Sequence, residues 1–134
     1  MAGKMTTYLR SALLNEVLRG TQYAPPTTVY VSLHTADPTN DGSAGELTGK
    51  GGYTRKAISF SAPAADGDWI KAGNDAVVAY AAATEAWGTV SHYAVWDANT
   101  GGNCLLYGDL DVAKAIDVDD RLEFGAGKFA VKLQ

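Results

Sequence analysis

The segment TTVYVSLHTADP, residues 27–38, constrains this chain more than any other. Val29, Val31 and Leu33 alternate with Tyr30, Ser32 and His34, and Asp37 followed by Pro38 ends the pattern. Period-two alternation of that length reads as a half-buried β-strand, and the Asp-Pro pair turns the chain out of regular structure. His34 falls on the wetter face of this strand. Just upstream, Leu9, Leu13 and Val17 recur at helical spacing together with Leu14 and Leu18. With Thr6 or Thr7 as N-cap and Gly20 as the stop, they predict one amphipathic helix over Thr7–Arg19. Its apolar face is expected to pack on the chain's own sheet.

Beyond Pro25 and Pro26 every segment reads as strand or turn. Residues 53–61 place Ile58 and Phe60 on one face, and residues 65–68 supply a turn. Residues 75–83 mix helix-favouring alanines with Val77, Val78 and Tyr80, and are read as extended. In residues 89–97, Val90, His92, Ala94 and Trp96 share one face and Tyr93 and Val95 the other. A strand apolar on both faces belongs in the middle of a sandwich or at a subunit contact. Turn formers fill residues 97–103, predicting a hairpin into residues 104–110, and the last strands are residues 121–124 and 128–133. Seven or eight strands and one helix predict a mainly β chain, a jelly-roll-like β-sandwich with one short N-terminal helix. Residues 1–7 are expected as a flexible N-terminal arm and residues 8–134 as a single β-sandwich domain. The polar, Gly-rich residues 38–52 are expected to order, like the arm, on contact with a partner.

A chain of 134 residues is large enough for one core and too small for two. Its formal charge of −4 offers phosphates no electrostatic footprint, so nucleic acid is not an expected partner. No apolar run approaches the roughly 18 residues of a membrane span, nor is a signal peptide recognisable, so a soluble cytosolic product without membrane contact is expected. Cys104 is the only cysteine, which excludes an intramolecular disulfide and favours burial as a small apolar side chain. His34 and His92 sit in no HExxH or GxSxG arrangement. The acidic groups around Asp37, Asp41 and Glu46, and from Asp109 to Asp120, fit turns better than the EF-hand spacing. No catalytic site, cofactor or bound metal is therefore expected.

Three stretches in order, YLRSALLNEVLRGTQYAPPTTVYVSLHTADPT, GGYTRKAISFSAP and AWGTVSHYAVWDANTGGNCLLYGDL, resemble a family of small tailed-phage virion proteins. Its members are labelled head decoration (cement) or tail fibre proteins. The specific pieces are Thr35 to Pro38, Gly52-Tyr53-Thr54-Arg55 and Trp87-Gly88-Thr89-Val90. The resemblance implies a non-enzymatic virion building block, first of all a cement protein on the outer surface of the phage head. Such a protein would bind the major capsid protein and copies of itself, as a dimer or trimer. The alternative is a tail or fibre protein that touches the host, with carbohydrate stacking on Tyr8, Tyr23, Trp69, Trp87 or Trp96. Lys4, Lys50, Tyr53 and Arg55 are the candidate protein-contact residues.

Overall fold

The computed structural model describes residues 1–134. The mainly β class with one N-terminal helix is the class found. A five-stranded antiparallel sheet joins β1 (Gly3–Met5), β8 (Cys104–Ile116), β7 (Gly88–Trp96), β2 (Val29–His34) and β3 (Lys56–Ile58), in that spatial order. A second sheet runs β10 (Ala130–Leu133), β5 (Trp69–Gly73), β4 (Ala64–Asp66), and β6 (Val78–Ala79) pairs with β9 (Glu123–Phe124). Residues 75–83 are extended around β6, as their valines required, and contain no helix. The turn expected at residues 65–68 falls at Gly67 and Asp68, but the β4 and β5 strands it joins are not marked in the sequence, because Trp69 to Gly73 lacks clean alternation. No helix is long and apolar enough to cross a membrane.

Strand β7 is the spine, flanked by β8 and β2. Both of its faces are covered, as two apolar faces demand. Tyr93 and Val95 enter the main core with Val31, Leu33 and Phe129, while Ala94 and Trp96 pack with Cys104 and Tyr107 on the other side. Val90 departs from simple alternation and joins the main core. The register against β8 shifts there, from Val90 opposite Lys114 to His92 opposite Asp109, so the regular ladder is interrupted where the alternation breaks.

Residues 1–7, expected as a flexible arm, are instead built into the body. Gly3, Lys4 and Met5 pair with Gly108, Tyr107 and Leu106 of β8, and Met1 is buried. The segment is polar in composition, but its backbone completes an otherwise bare edge of β8, and backbone pairing needs no apolar side chains. Thr6 then does two jobs. Its Oγ1 accepts the Leu9 amide as the helix N-cap and donates to the Cys104 carbonyl at 2.6 Å, tying the helix start to β8.

Helix α1 (Thr7–Arg19) ends at Gly20, which takes the left-handed conformation. The helix forms where the spacing put it, but its packing corrects the expectation. No helical residue is buried, and Leu14, Val17 and Leu18 are 59%, 76% and 74% exposed. Leu9 and Leu13 take up the limited contact with the body, and the apolar stripe is broader than that contact. The helix and the return segment, residues 20–28, form a limb with little burial along its outer half.

Deleting residues 1–5 removes β1 and the buried Met1, so thermal unfolding of the truncated chain should show a loss of at least about 2 kcal/mol. A free arm would leave the unfolding midpoint unchanged.

Candidate functional site

The segment Gly51 to Arg55 enters β3, and Arg55 stands where the loop of residues 38–52 meets the turn between β7 and β8. Its Nε and Nη2 donate to the two carboxylate oxygens of Glu46 at 2.9 and 2.8 Å. Nη1 donates to the carbonyls of Ala98 and Gly101 at 3.0 and 2.8 Å. The guanidinium lies 3.8 Å above the Trp96 ring. Both side chains of the pair are enclosed, Arg55 at 8% and Glu46 at 13% exposure. Only a planar fork of five donors can serve a carboxylate, two carbonyls and a ring face at once.

Tyr53 completes the ion pair. Its hydroxyl donates to Glu46 Oε2 at 2.7 Å and accepts the Leu33 amide at 3.3 Å. Burial, and then the Glu46 carboxylate, push that hydroxyl far above the ordinary phenol range. Burial alone would raise the Glu46 carboxyl, but hydrogen bonds from Arg55 and Tyr53, with the Arg55 charge, hold it below its usual value.

Beneath Arg55 runs a chain of polar contacts. Trp96 Nε1 donates to Ser32 Oγ at 2.8 Å, Ser32 Oγ meets His34 Nε2 at 2.7 Å, and His34 Nδ1 meets the Ala44 carbonyl at 2.7 Å. A carbonyl only accepts, so Nδ1 carries the proton and Nε2 accepts from Ser32. His34 is fully buried, which corrects its expected place on a wet face. The face is dry because the loop folds back over the end of β2: the Thr35 and Leu47 amides donate to the Gly45 and Leu33 carbonyls, and His34 and Glu46 form a β-bridge. Burial, the largest cause, lowers the His34 pKa. The loop expected to order only on contact is therefore tied to its own subunit, with Leu47 in the core and Asp37 and Asp41 in turn hydrogen bonds.

Over this layer lies an open polar cleft of about 190 Å³, lined by Thr48, Tyr53, Thr54, Asn99 and Thr100. Tyr53 and Arg55 come together here, but their polar groups are engaged inside the subunit. Lys50 stands nearby, half exposed and 3.8 Å from Glu85, whereas Lys4 is on β1. Trp87 and Trp96 are 2% and 7% exposed, which removes both rings from any stacking surface. Burial pushes the Cys104 thiol up to about 12, in keeping with an inert core residue. Glu46 and the carbonyls of Ala98 and Gly101 were not legible as partners of Arg55; a loop carboxylate near a Tyr-Thr-Arg step is the only trace they leave in the sequence. No three His, Cys, Asp or Glu side chains gather where they could hold a metal ion.

The site is thus an enclosed ion pair that ties two loops together on a small β body. The chain matches the family model described as Podophage GP4 fiber I protein gp80 over residues 4–132, and it belongs to that family of phage virion proteins. A comparison with curated proteins finds no match.

Arg55→Ala would leave the largely enclosed Glu46 carboxylate without its cation, and chemical denaturation should register a loss of up to about 3–5 kcal/mol, the usual cost of halving a buried ion pair. Acid should destabilise the protein in two stages. Both His34 and Glu46 have folded-state pKa values depressed below the ordinary 6.5 and 4.5, so both favour folding above those values. Each contribution is lost as pH falls through the depressed value, because the unfolded chain then binds the extra proton. A His34→Gln variant should flatten the upper stage of the curve of unfolding free energy against pH and leave the lower one.

Proposed function

We propose that the chain is a non-enzymatic building block of a phage fibre, working by binding to virion neighbours and to copies of itself. The observation that carries this reading is the match to a fibre-protein family along nearly the whole chain. The geometry is in keeping with it. The polar residues with the greatest chemical potential, Glu46, Arg55, Tyr53 and His34, satisfy one another and stiffen two loops. A stiff loop platform loses little conformational freedom on association, so more of its contact energy survives as affinity.

Capsid decoration is the other placement: the same module would then sit on the outer head surface against the major capsid protein. The fibre description of the family supports the fibre placement. Gold-labelled antibody raised against the chain and imaged on intact particles tests the choice, with label expected at the tail fibres. Label spread over the faces of the head would overturn the fibre placement.

A further inference from the structure

Tyr8, Tyr23 and Tyr30 line one face of the subunit with their hydroxyls free. Tyr8, Ala12 and Asn15 are spaced so that they share one side of α1. That side and the return residues Thr21, Gln22 and Tyr23 enclose a cleft of about 310 Å³, and no charged side chain lines it. Tyr8 is 42% exposed and Tyr23 half-buried, so both rings present area to solvent. The Asn15 carbonyl oxygen accepts from Arg19, which leaves its amide N–H groups to the cleft.

Two further clefts continue the same face. One, of about 470 Å³, follows along the chain from Pro26 and lies between Thr27, Thr28 and Tyr30 on one side and Asp97 and Asn99 on the other. It adjoins the tyrosine cleft: burial, and then the neighbouring Tyr8 and Asp97, raise the Tyr23 hydroxyl above the ordinary phenol range, which places both groups close to it. Asn99 also lines the polar cleft over Arg55, beside Thr48, Thr54 and Thr100. The charges bordering this row are engaged inside the subunit. Asp97 accepts from the backbone and side-chain amides of Asn103 at 2.7 and 3.0 Å, and Glu46 and Arg55 hold each other. What faces outward is hydroxyl, amide and tyrosine ring.

We infer that this row of three clefts is a binding track for a neutral polysaccharide, with the Tyr8 and Tyr23 rings as its stacking platform. A sugar ring has a face of C–H groups and a rim of hydroxyls. The face lies on a tyrosine ring, which supplies rigid contact area for little lost freedom. The hydroxyls both donate and accept, and so do the Thr hydroxyls and the Asn and Gln amides along the track. A cavity of about 150 Å³ holds a molecule the size of benzene, so each cleft has room for a six-membered ring. A charged ligand finds no free counter-ion here, and an apolar one would leave the hydroxyls without partners. Water competes at every contact, so one subunit binds weakly and several copies on one fibre hold by avidity. The inference rests on the reading of the chain as a fibre subunit and gives that fibre a bacterial surface polysaccharide as its partner.

The test is an array of bacterial surface polysaccharides, neutral and acidic, with lipopolysaccharide O-chains and capsules in separate arms, read with the fluorescently labelled full chain. Neutral polysaccharides are expected to bind and to stay bound at raised salt, since no ion pair carries the contact. The arm that binds names the source. Tyr8→Ala and Tyr23→Ala should each weaken binding about tenfold, and Tyr23→Phe, which keeps the ring, far less. Each variant is compared at an unchanged circular dichroism spectrum, and Trp69→Ala, on β5, where Lys132 covers the ring, should bind as the parent does. Parent-like binding by both tyrosine-to-alanine variants, binding confined to acidic polysaccharides, or no polysaccharide bound at all would overturn the proposal. So would Tyr8 and Tyr23 shielded from hydroxyl-radical labelling in intact particles, which would give the face to a protein neighbour. Antibody label at the fibres with no polysaccharide bound would sink the track and leave the fibre reading standing, whereas a polysaccharide-binding chain labelled on the head would do the reverse.

Discussion

The loops of this protein depend on one buried cation. Arg55 joins the loop at Glu46 to the turn at Ala98 and Gly101, with most of its side chain enclosed. An isolated guanidinium in such a place would cost several kcal/mol, and the arrangement holds only because Glu46, two carbonyls and the Trp96 face act together. The consequence reaches past the pair. Glu46 is held by Arg55 and Tyr53, Tyr53 by the Leu33 amide, and Trp96 by Ser32 and His34, so loop order and strand register are secured by a single network.

Around that network the sheet provides the frame. With β7 in the middle of five strands, one face belongs to the large core and the other to the cluster of Trp96, Cys104 and Tyr107 under the loops. Aromatic contacts knit the core, with Phe129 meeting Tyr93 and Phe124 edge to face, both at 5.0 Å. Thr6 closes the other end by fastening the helix to β8 through one hydroxyl. The helix is thus anchored to the body at its start, while Leu14, Val17 and Leu18 along its outer half stay exposed.

Local pattern alone determined a good part of this. Alternation marked β2, β7 and β10, the turn residues from Asp97 to Asn103 marked the hairpin, and Leu spacing between Thr6 and Gly20 marked the helix, because each signal is written in neighbours along the chain. The class, mainly β with one helix, followed from these, and the ordered motifs carried the virion family. Tertiary structure decided which groups meet. Residues 3–5 of the polar N-terminus became a strand because β8 had a bare edge, His34 went dry because a loop folded over it, and Val90 left the alternation where the β7–β8 register shifts. Arg55, singled out as a surface contact, found Glu46 and Trp96 in segments that sequence spacing does not relate. The helix kept its predicted bounds yet lost its predicted burial, since amphipathicity states that a face can be covered and only the assembled molecule settles by what.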